Sequence, residues 1–128
     1  MAITPIKELV QAAKTEIRSL DQAEAEHMAA QGDALLVDIR DPRELKREGR
    51  IEGAFHAPRG MLEFWIAPDS PYHKPELATG KTLILFCASA WRSALSVKAL
   101  QDMGVENIAE MEGGFSTWKK RGAPVVLD

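Results

Sequence analysis

An α/β fold, in which helices cover both faces of a mostly parallel sheet, is what the sequence predicts. The 128 residues suit one compact domain. Short apolar runs alternate along the chain with segments whose apolar residues recur every three to four positions, which is the pattern of strands alternating with helices. The runs at 34–39 and 82–86 are apolar almost throughout, as strands are when both faces of a parallel sheet are buried.

Helices and strands alternate in the first half of the chain. Thr4 and Pro5 precede a regular apolar stripe and predict an N-capped helix to about residue 16. Asp21 and Glu24 have the spacing of a capping box and begin a second helix. The other predicted elements are strands at 17–20, 34–39 and 53–58, a helix from Pro42 that ends at Gly49, and a short helix at 61–66.

A loop at 67–80, with three prolines and no clear period, precedes the second half of the chain. We expect this loop and the short helix before it to shape access to the functional site, because long loops in small domains are usually functional or mobile. The run at 82–86 is the clearest buried strand, and the helix from Arg92 to about Met103 ends at Gly104. A strand at 107–111 and a helix after Gly113-Gly114 complete the fold.

Composition and charge exclude several classes of protein. Sixteen basic and nineteen acidic residues are interspersed and give a net charge of −3, so we expect no nucleic-acid partner, since phosphate recognition needs a concentrated basic face. The longest strongly apolar stretch without a charge, 82–91, is shorter than the roughly 20 residues of a membrane helix. The N-terminal residues lack the basic start and apolar run of a secretory signal. We therefore expect a cytoplasmic protein with no membrane partner.

Cys87 is the single cysteine in the sequence, which rules out an internal disulfide and a cysteine-rich metal site. The three histidines have no paired spacing, so neither a metal site nor a cofactor is predicted. We expect His56 to be hydrogen-bonded within a strand, His27 to be solvated on a helix, and His73 to lie on the surface of the long loop.

The position of Cys87 gives its thiol a chemical context. It lies between a buried strand and the N-terminus of a helix, where unpaired amide hydrogens and the helix dipole favour an anion. A thiolate is such an anion and is also a nucleophile. The small residues at 88–90 allow the loop to curl so that several backbone amides surround the sulfur. Taken alone, the cysteine could equally be a small core residue, but the segment after it is unlike a core strand and favours the reactive interpretation.

Residues 87–93, Cys-Ala-Ser-Ala-Trp-Arg-Ser, resemble the active-site loop of the rhodanese-like sulfurtransferases. The segments 36–45 and 49–58 resemble the family's signature upstream of the catalytic cysteine, and 112–118 resembles its Gly-Gly segment before the last helix. The motifs occur in the family's order, and three ordered motifs are far more specific than any one of them.

The resemblance implies a three-layer fold of the single-domain rhodanese type. Residues 17–128 would form the rhodanese-like domain, and residues 1–16 an N-terminal amphipathic extension. The apolar stripe of this extension is too regular to remain in water. We expect the helix either to extend the core or to pair with a second copy of the chain, and we favour a two-fold homodimer.

A sulfur-transfer reaction is the activity that the resemblance implies. Cys87 would attack the outer sulfur of a small anionic donor such as thiosulfate, carry it as a persulfide, and yield it to cyanide, a small thiol or a thiol-bearing protein. Arg92 would orient the loop or bind the anionic donor. The residues of the loop that would hold the negative charge are Ala88, Ser89, Ala90, Trp91, Arg92 and Ser93.

Four further residues are predicted to support the site. Asp38 and Arg40 match family positions near the floor and rim of the pocket, and we expect them to form an ion pair that fixes the strand end rather than to take part in the chemistry. Arg59 and Trp65, with Trp91, are candidates for the pocket wall, since a rim of arginine and aromatic rings suits an anionic or sulfur-bearing ligand.

Two positions depart from the family pattern. Ala90 stands where the family's loop often has glycine, and a positive φ angle there would strain an alanine. Arg50 stands where the second motif commonly has histidine. Neither change removes the nucleophile, and both bear on which donor the protein prefers.

Three alternatives remain open. A persulfide relay or regulatory module that serves a dedicated protein partner would use the same cysteine, with free thiosulfate as a poor donor. Phosphatases that resemble rhodaneses have one more residue than the four between Cys87 and Arg92, so a phosphatase or arsenate reductase fits less well. A catalytically silent interaction domain fits least, since both of these residues are present.

Overall fold

The structure, a computed structural model, describes residues 2–128. Its centre is a five-stranded sheet in which neighbouring strands are parallel. The strands are β1 (Ser19–Leu20), β2 (Ala34–Asp38), β3 (Phe55–His56), β4 (Thr82–Phe86) and β5 (Ile108–Met111). Their order across the sheet is β1-β5-β4-β2-β3. The prediction of a mostly parallel sheet is confirmed.

The central strand β4 lies between β2 and β5 and has the predicted bounds. Its register pairs Phe86 with Asp38 of β2, and Leu85 with Glu110 of β5. The carboxyl ends of the three strands therefore meet at one edge of the sheet. Cys87 follows β4 directly at this edge, which is where open α/β sheets place their sites.

Helices cover both faces of the sheet. They are α1 (Ile6–Lys14), α2 (Gln22–Ala30), α3 (Pro42–Glu48), α4 (Leu62–Ile66), α5 (Arg92–Asp102) and α6 (Gly114–Lys120). Because side chains alternate along a strand, Ile84 and Phe86 pack in one core with Trp118 of α6, whereas Leu85 packs in another with Val97 of α5. The two cores confirm the three-layer arrangement. No helix within residues 2–128 is long and apolar enough to cross a lipid bilayer.

The N-terminal helix α1 packs on α5. Val10 and Ala13 are buried in a small core with Ala94, so this face of the helix extends the core, as one of the two expectations had it. The other face is open, since Ile6 is 51% exposed and Leu9 is 49% exposed.

Some element ends differ from the prediction. Thr4 does not cap α1, because an extended Pro5 occupies the cap position and no side chain caps the helix. Asp21 does cap α2, as predicted, by accepting a hydrogen bond from the Glu24 amide. The strands β1 and β3 have only two residues each; both lie at edges of the sheet, where strands are commonly short.

The long loop at 67–80 runs to the far end of the sheet. Pro68 and Asp69 line a cavity of about 460 Å³ together with Asn107, which precedes the amino end of β5. This part of the loop therefore lies at the end of the sheet opposite Cys87. The expectation that the loop shapes access to the site is therefore wrong for Pro68 and Asp69, because the chain must return here to the amino end of β4 before that strand can run parallel to β2. For the short helix before the loop it stays a prediction.

Candidate active site

The thiol of Cys87 is held at the start of α5. The residue is 1% exposed, and the Ser93 amide donates a hydrogen bond to its Sγ atom over 3.4 Å. The thiol in turn donates to the Ser93 hydroxyl over 3.7 Å. A backbone amide at a helix N-terminus that donates to sulfur favours negative charge there. The arrangement suits a thiolate or another sulfur anion.

Residues 88–92 lead from Cys87 into α5, which begins at Arg92. Within residues 2–128, their backbone amides donate to no other backbone group. Such donors must be satisfied by water or by a bound anion. The exposed members of the loop are Ser89 and Trp91. The predicted binding residues thus form one continuous turn beside the sulfur.

Ala90 has a φ angle of 65°. An L-residue other than glycine pays about 1–2 kcal/mol in this left-handed conformation, so the strain expected from the missing glycine is present. Ala90 is also buried. The turn keeps the conformation that glycine would adopt freely.

Helix α6 holds the loop from the other side. The Phe115 amide donates to the Cys87 carbonyl over 2.8 Å, and the Ser116 amide donates to the Ala88 carbonyl over 3.0 Å. Gly114 has a φ angle of 61°, and a Cβ atom there would lie 2.5 Å from the Cys87 carbonyl oxygen. Glycine is therefore required for this close approach. The Gly-Gly segment acts on the site by fixing the loop's carbonyls.

Arg92 forms a bidentate ion pair with Glu44 of α3, with distances of 2.7 Å and 3.0 Å. The hydrogen bonds that Arg92 donates to Glu44 raise the pKa of Arg92 above its usual value, and charge on Cys87 acts in the same direction. Arg92 in turn lowers the pKa of Glu44. Of the two roles predicted for Arg92, this geometry supports orientation of the loop, because each Nη atom donates a hydrogen bond to the carboxylate of another helix.

Glu44 is a residue of the site that the sequence analysis does not single out. It accepts a hydrogen bond from the Asp41 amide over 3.2 Å, while the Asp41 side chain caps α3. The Asp-Pro-Arg-Glu spacing of a capping box was the available signal. One carboxylate thus ties the start of α3 to the start of α5.

Asp38 and Arg40 form the predicted ion pair, and each is 1% exposed. Nε and Nη2 of Arg40 donate to Asp38 over 3.0 Å and 2.7 Å, and Nη2 also donates to the Gly49 carbonyl. The guanidinium lies 4.0 Å from the centroid of the Phe115 ring. His56 Nε2 is hydrogen-bonded to the Arg40 carbonyl over 2.7 Å, the structural role predicted for this histidine. The ion pair thus fixes the carboxyl end of β2.

Glu110 of β5 is a second residue that the sequence analysis does not single out. It is fully buried and accepts hydrogen bonds from Ser93, Ser19 and Lys14, each over 2.8 Å. The available signal was a carboxylate inside an otherwise apolar strand, since a buried charge needs partners. Glu110 contacts the same serine that contacts the sulfur.

The model of the rhodanese-like domain family matches residues 21–121. This chain belongs to the rhodanese-like domain family. The match includes the Cys87 loop, Glu44 and Glu110, and it leaves out α1.

Two curated relatives place the rhodanese-like domain among known proteins. An uncharacterised protein of Synechocystis sp. is 36% identical over 101 residues, which cover 79% of this chain and 51% of that protein. This chain thus spans about half the length of that relative. A sulfurtransferase of Allochromatium vinosum is 28% identical over 102 residues, which cover 80% of this chain and 87% of that protein.

Two solved structures are similar over nearly the whole chain. A protein of unknown function from Rhodopseudomonas palustris, described as a possible tyrosine phosphatase, is 45% identical with a TM-score of 0.91, and the match covers 98% of both chains. The polysulfide-sulfur transferase homodimer of Wolinella succinogenes is 32% identical with a TM-score of 0.71, and the match covers 95% of this chain and 87% of that one. The first match is long enough to include α1.

The two predicted wall residues of the rhodanese-like domain have packing contacts of their own. Arg59 is exposed and lines a cavity of about 50 Å³ beside Ser96 on the flank of α5. Trp65 packs edge to face on Phe55, with ring centroids 6.2 Å apart, and the Lys74 ammonium lies 5.1 Å from its ring centroid. A wall role for either residue stays a prediction.

Gly114→Ala is expected to lower the free energy of unfolding by about 2–5 kcal/mol, since it combines a strained φ angle with a clash against the Cys87 carbonyl. Gly122→Ala is the matched control, because Gly122 also has a positive φ angle but no atom within 4 Å of its Cβ position. This control should lose only about 1–2 kcal/mol. Urea unfolding measures both, and equal losses would show that the close approach at Gly114 is unimportant.

Glu44→Gln should destabilise the protein by about 1 kcal/mol at pH 7, because a partly exposed ion pair contributes about this much. The pKa of Glu44 is lowered in the folded protein, so its contribution is present above its ordinary value of 4.5 and is lost as the pH falls through the lowered folded value. The difference between wild type and variant, measured by urea unfolding, should shrink on acidification. A difference that stays constant between pH 7 and pH 3 contradicts this account; Glu52→Gln, at an exposed carboxylate, is the control.

Proposed function

We propose that this rhodanese-like protein is a sulfurtransferase that carries a sulfane sulfur as a persulfide on Cys87. The observation that carries the proposal is the turn of residues 87–93, which combines a buried thiol, the Ser93 amide on its sulfur, and the unpaired amides of residues 88–92. These donors match the negative charge of a persulfide. The sulfurtransferase of A. vinosum and the polysulfide-sulfur transferase of W. succinogenes support the same class of reaction.

The reaction would proceed in two displacements with thiosulfate as donor and cyanide as acceptor. The Cys87 thiolate attacks the outer sulfur of thiosulfate, a new S–S bond forms, and the S–S bond of thiosulfate breaks so that sulfite leaves with its electron pair. Cyanide then attacks the outer sulfur of the persulfide. That step releases thiocyanate and restores the thiolate, so neither step requires an oxidant, a reductant or a cofactor.

The surroundings of the loop support an anionic donor. A groove of about 350 Å³ meets the loop at Ala88 and is lined by four cationic and two anionic side chains. The cationic ones are Arg40, Arg47, Lys119 and Lys120, and the anionic ones are Glu44 and Glu48.

A small thiol or a thiol-bearing protein is the proposed acceptor in the cell. The proposed setting is the cytoplasm, where thiols are kept reduced.

A phosphatase is the second candidate, because the similar R. palustris protein is described as a possible tyrosine phosphatase. Phosphoryl transfer relies on a cation to stabilise charge on three equatorial oxygens. In this loop Arg92 forms an ion pair with Glu44, and only four residues separate Arg92 from Cys87. Both features favour a sulfur anion over a phosphate group, and the activity assay below separates the two.

Cys87 should gain one sulfur atom when the protein is treated with thiosulfate, and should lose it to cyanide. Cys87→Ser should abolish both changes, because no second thiol is present. Intact-mass spectrometry measures the adduct, and thiocyanate production measures turnover. Hydrolysis of p-nitrophenyl phosphate by the wild type is assayed in parallel.

Each outcome of that experiment decides between the candidates. A cyanide-reversible adduct with multiple turnover supports the sulfurtransferase. An adduct with negligible turnover of free thiosulfate indicates the persulfide relay or regulatory module instead. Phosphate ester hydrolysis without any adduct overturns the proposal in favour of the phosphatase.

We also propose that residues 1–16, with α1, are an extension of the domain formed by residues 17–128. Through α1 the chain would pair as a two-fold homodimer. Ile6 and Leu9 leave an apolar face half-exposed, and the similar W. succinogenes protein is described as a homodimer. Light scattering should give the mass of two chains for the wild type and of one chain for the double variant Ile6→Glu/Leu9→Glu. A wild type that scatters as one chain would leave α1 as core cover only.

A further inference from the structure

The buried carboxylate of Glu110 connects the N-terminal helix with the loop that holds Cys87. Its Oε1 atom accepts a hydrogen bond from the Ser93 hydroxyl. Its Oε2 atom accepts from the Lys14 ammonium and from the Ser19 hydroxyl. Lys14 lies in the last turn of α1 and is the one cation within 4.0 Å of this carboxylate among residues 2–128. The sulfur, a serine, a carboxylate and a lysine thus form one chain of contacts.

Ser93 is the link that can respond to the state of the sulfur. A serine hydroxyl has one hydrogen and two lone pairs. In the observed contacts the Cys87 thiol donates to Ser93, and Ser93 donates to Glu110. Once the thiol has lost its proton, the sulfur has no hydrogen to donate and needs a donor itself. The single Ser93 hydrogen then has two anionic acceptors, the sulfur and Oε1 of Glu110.

We propose that Lys14 and Glu110 are positioning residues that set the direction of the Ser93 hydroxyl and thereby the reactivity of Cys87. The proposal rests on the proposed function only in taking Cys87 as the nucleophile. Rotation about the Cβ–Oγ bond of Ser93 moves its hydrogen from Glu110 to the sulfur, and no proton passes between residues. The ammonium of Lys14 stabilises Glu110 when that hydrogen leaves, since a charge-assisted hydrogen bond remains on the carboxylate.

Without Lys14, Glu110 would compete more strongly for the Ser93 hydrogen. A buried carboxylate that loses a donor pays a desolvation cost, so the hydroxyl would stay on Glu110 and the sulfur anion would lose a hydrogen bond. The N-terminal helix lies outside residues 21–121 that match the family. Through Lys14 this helix would act on the chemistry of the loop as well as on the core.

The main measurement is the reactivity of the Cys87 thiol towards an alkylating reagent, which requires no sulfur donor. The rate constant for alkylation by iodoacetamide at pH 7 is determined on the full chain, together with kcat and KM for thiosulfate and the melting temperature. Lys14→Met should lower the alkylation rate by about tenfold, which is the value of one hydrogen bond to a charged group. Lys14→Arg, which keeps the charge, should restore most of it. Lys7→Met, at an exposed lysine of the same helix, should change nothing.

The double variant shows whether Lys14 acts through Glu110. Glu110→Gln should react at or above the wild-type rate, because a neutral acceptor holds the Ser93 hydrogen less strongly. Lys14→Met/Glu110→Gln should match Glu110→Gln within about twofold, since the effect of Lys14 disappears with its partner. The loss in Lys14→Met should appear in kcat rather than in KM.

Several outcomes overturn the proposal. It fails when Lys14→Met alkylates at the wild-type rate, or when the tenfold loss persists in the double variant, which would mean that Lys14 acts through space or on the fold. Lys14→Gln, with the same expectation, replaces Lys14→Met where the latter does not fold. A wild type that takes up no sulfur while these alkylation rates hold refutes the proposed function and leaves this inference standing.

Discussion

The register of β4 between β2 and β5 is the constraint on which the site depends. It pairs Asp38 with Phe86 and Glu110 with Leu85, so Cys87 emerges between two strands that each carry a buried carboxylate near their end. A slip of one residue would turn every side chain of a strand to the opposite face. The sheet therefore decides which buried carboxylates lie at the edge where the thiol emerges. Three parallel strands that end together make that edge the place for chemistry.

Each carboxylate at this edge is matched by a cation from another segment. Asp38 pairs with Arg40 just beyond β2, and Glu110 pairs with a lysine of α1. The third pair, between α3 and α5, fixes the start of the helix after the loop. The fully buried Asp38–Arg40 pair adds little net stability compared with apolar packing, whereas loss of one of its partners costs about 3–5 kcal/mol. The partly exposed pair between Glu44 and Arg92 contributes about 1 kcal/mol. Their effect is therefore to hold one arrangement of α1, α3 and α5 around the loop.

Local signals in the sequence were sufficient for the elements that carry the thiol. An apolar run predicted β4, and a glycine predicted the end of the helix after it. The turn between them, which is unlike a core strand, led to the prediction of a reactive Cys87. The glycine that the family often has where this chain has Ala90 predicted the positive φ angle of that residue. These features depend on neighbours within a few residues of one another.

Contacts between distant segments could not be predicted in this way. Lys14 and Glu110 are 96 positions apart, and no periodicity relates them. The path of the loop at 67–80 could likewise not be predicted from the sequence, because its direction depends on where β4 must begin. Thr4 had the composition of a cap, but an extended Pro5 moved the helix start by one residue. A charged residue inside an otherwise apolar strand was the single local signal of the contacts that Glu110 makes with Lys14, Ser19 and Ser93.

The ion pairs also bear on how the loop would attract the proposed anion. Arg92 is the cationic side chain of the loop, and its guanidinium is held by Glu44, so the attraction must come mainly from backbone amides and the start of α5. Backbone amides of a tight turn suit a small centre of charge, and a persulfide presents its charge on a single terminal sulfur. A phosphoryl group spreads its charge over three oxygens and is served better by a free, planar guanidinium. A loop whose arginine is paired with a carboxylate is therefore better matched to the proposed sulfur anion, and in the proposed reaction this ion pair would also contribute to the selectivity of the loop.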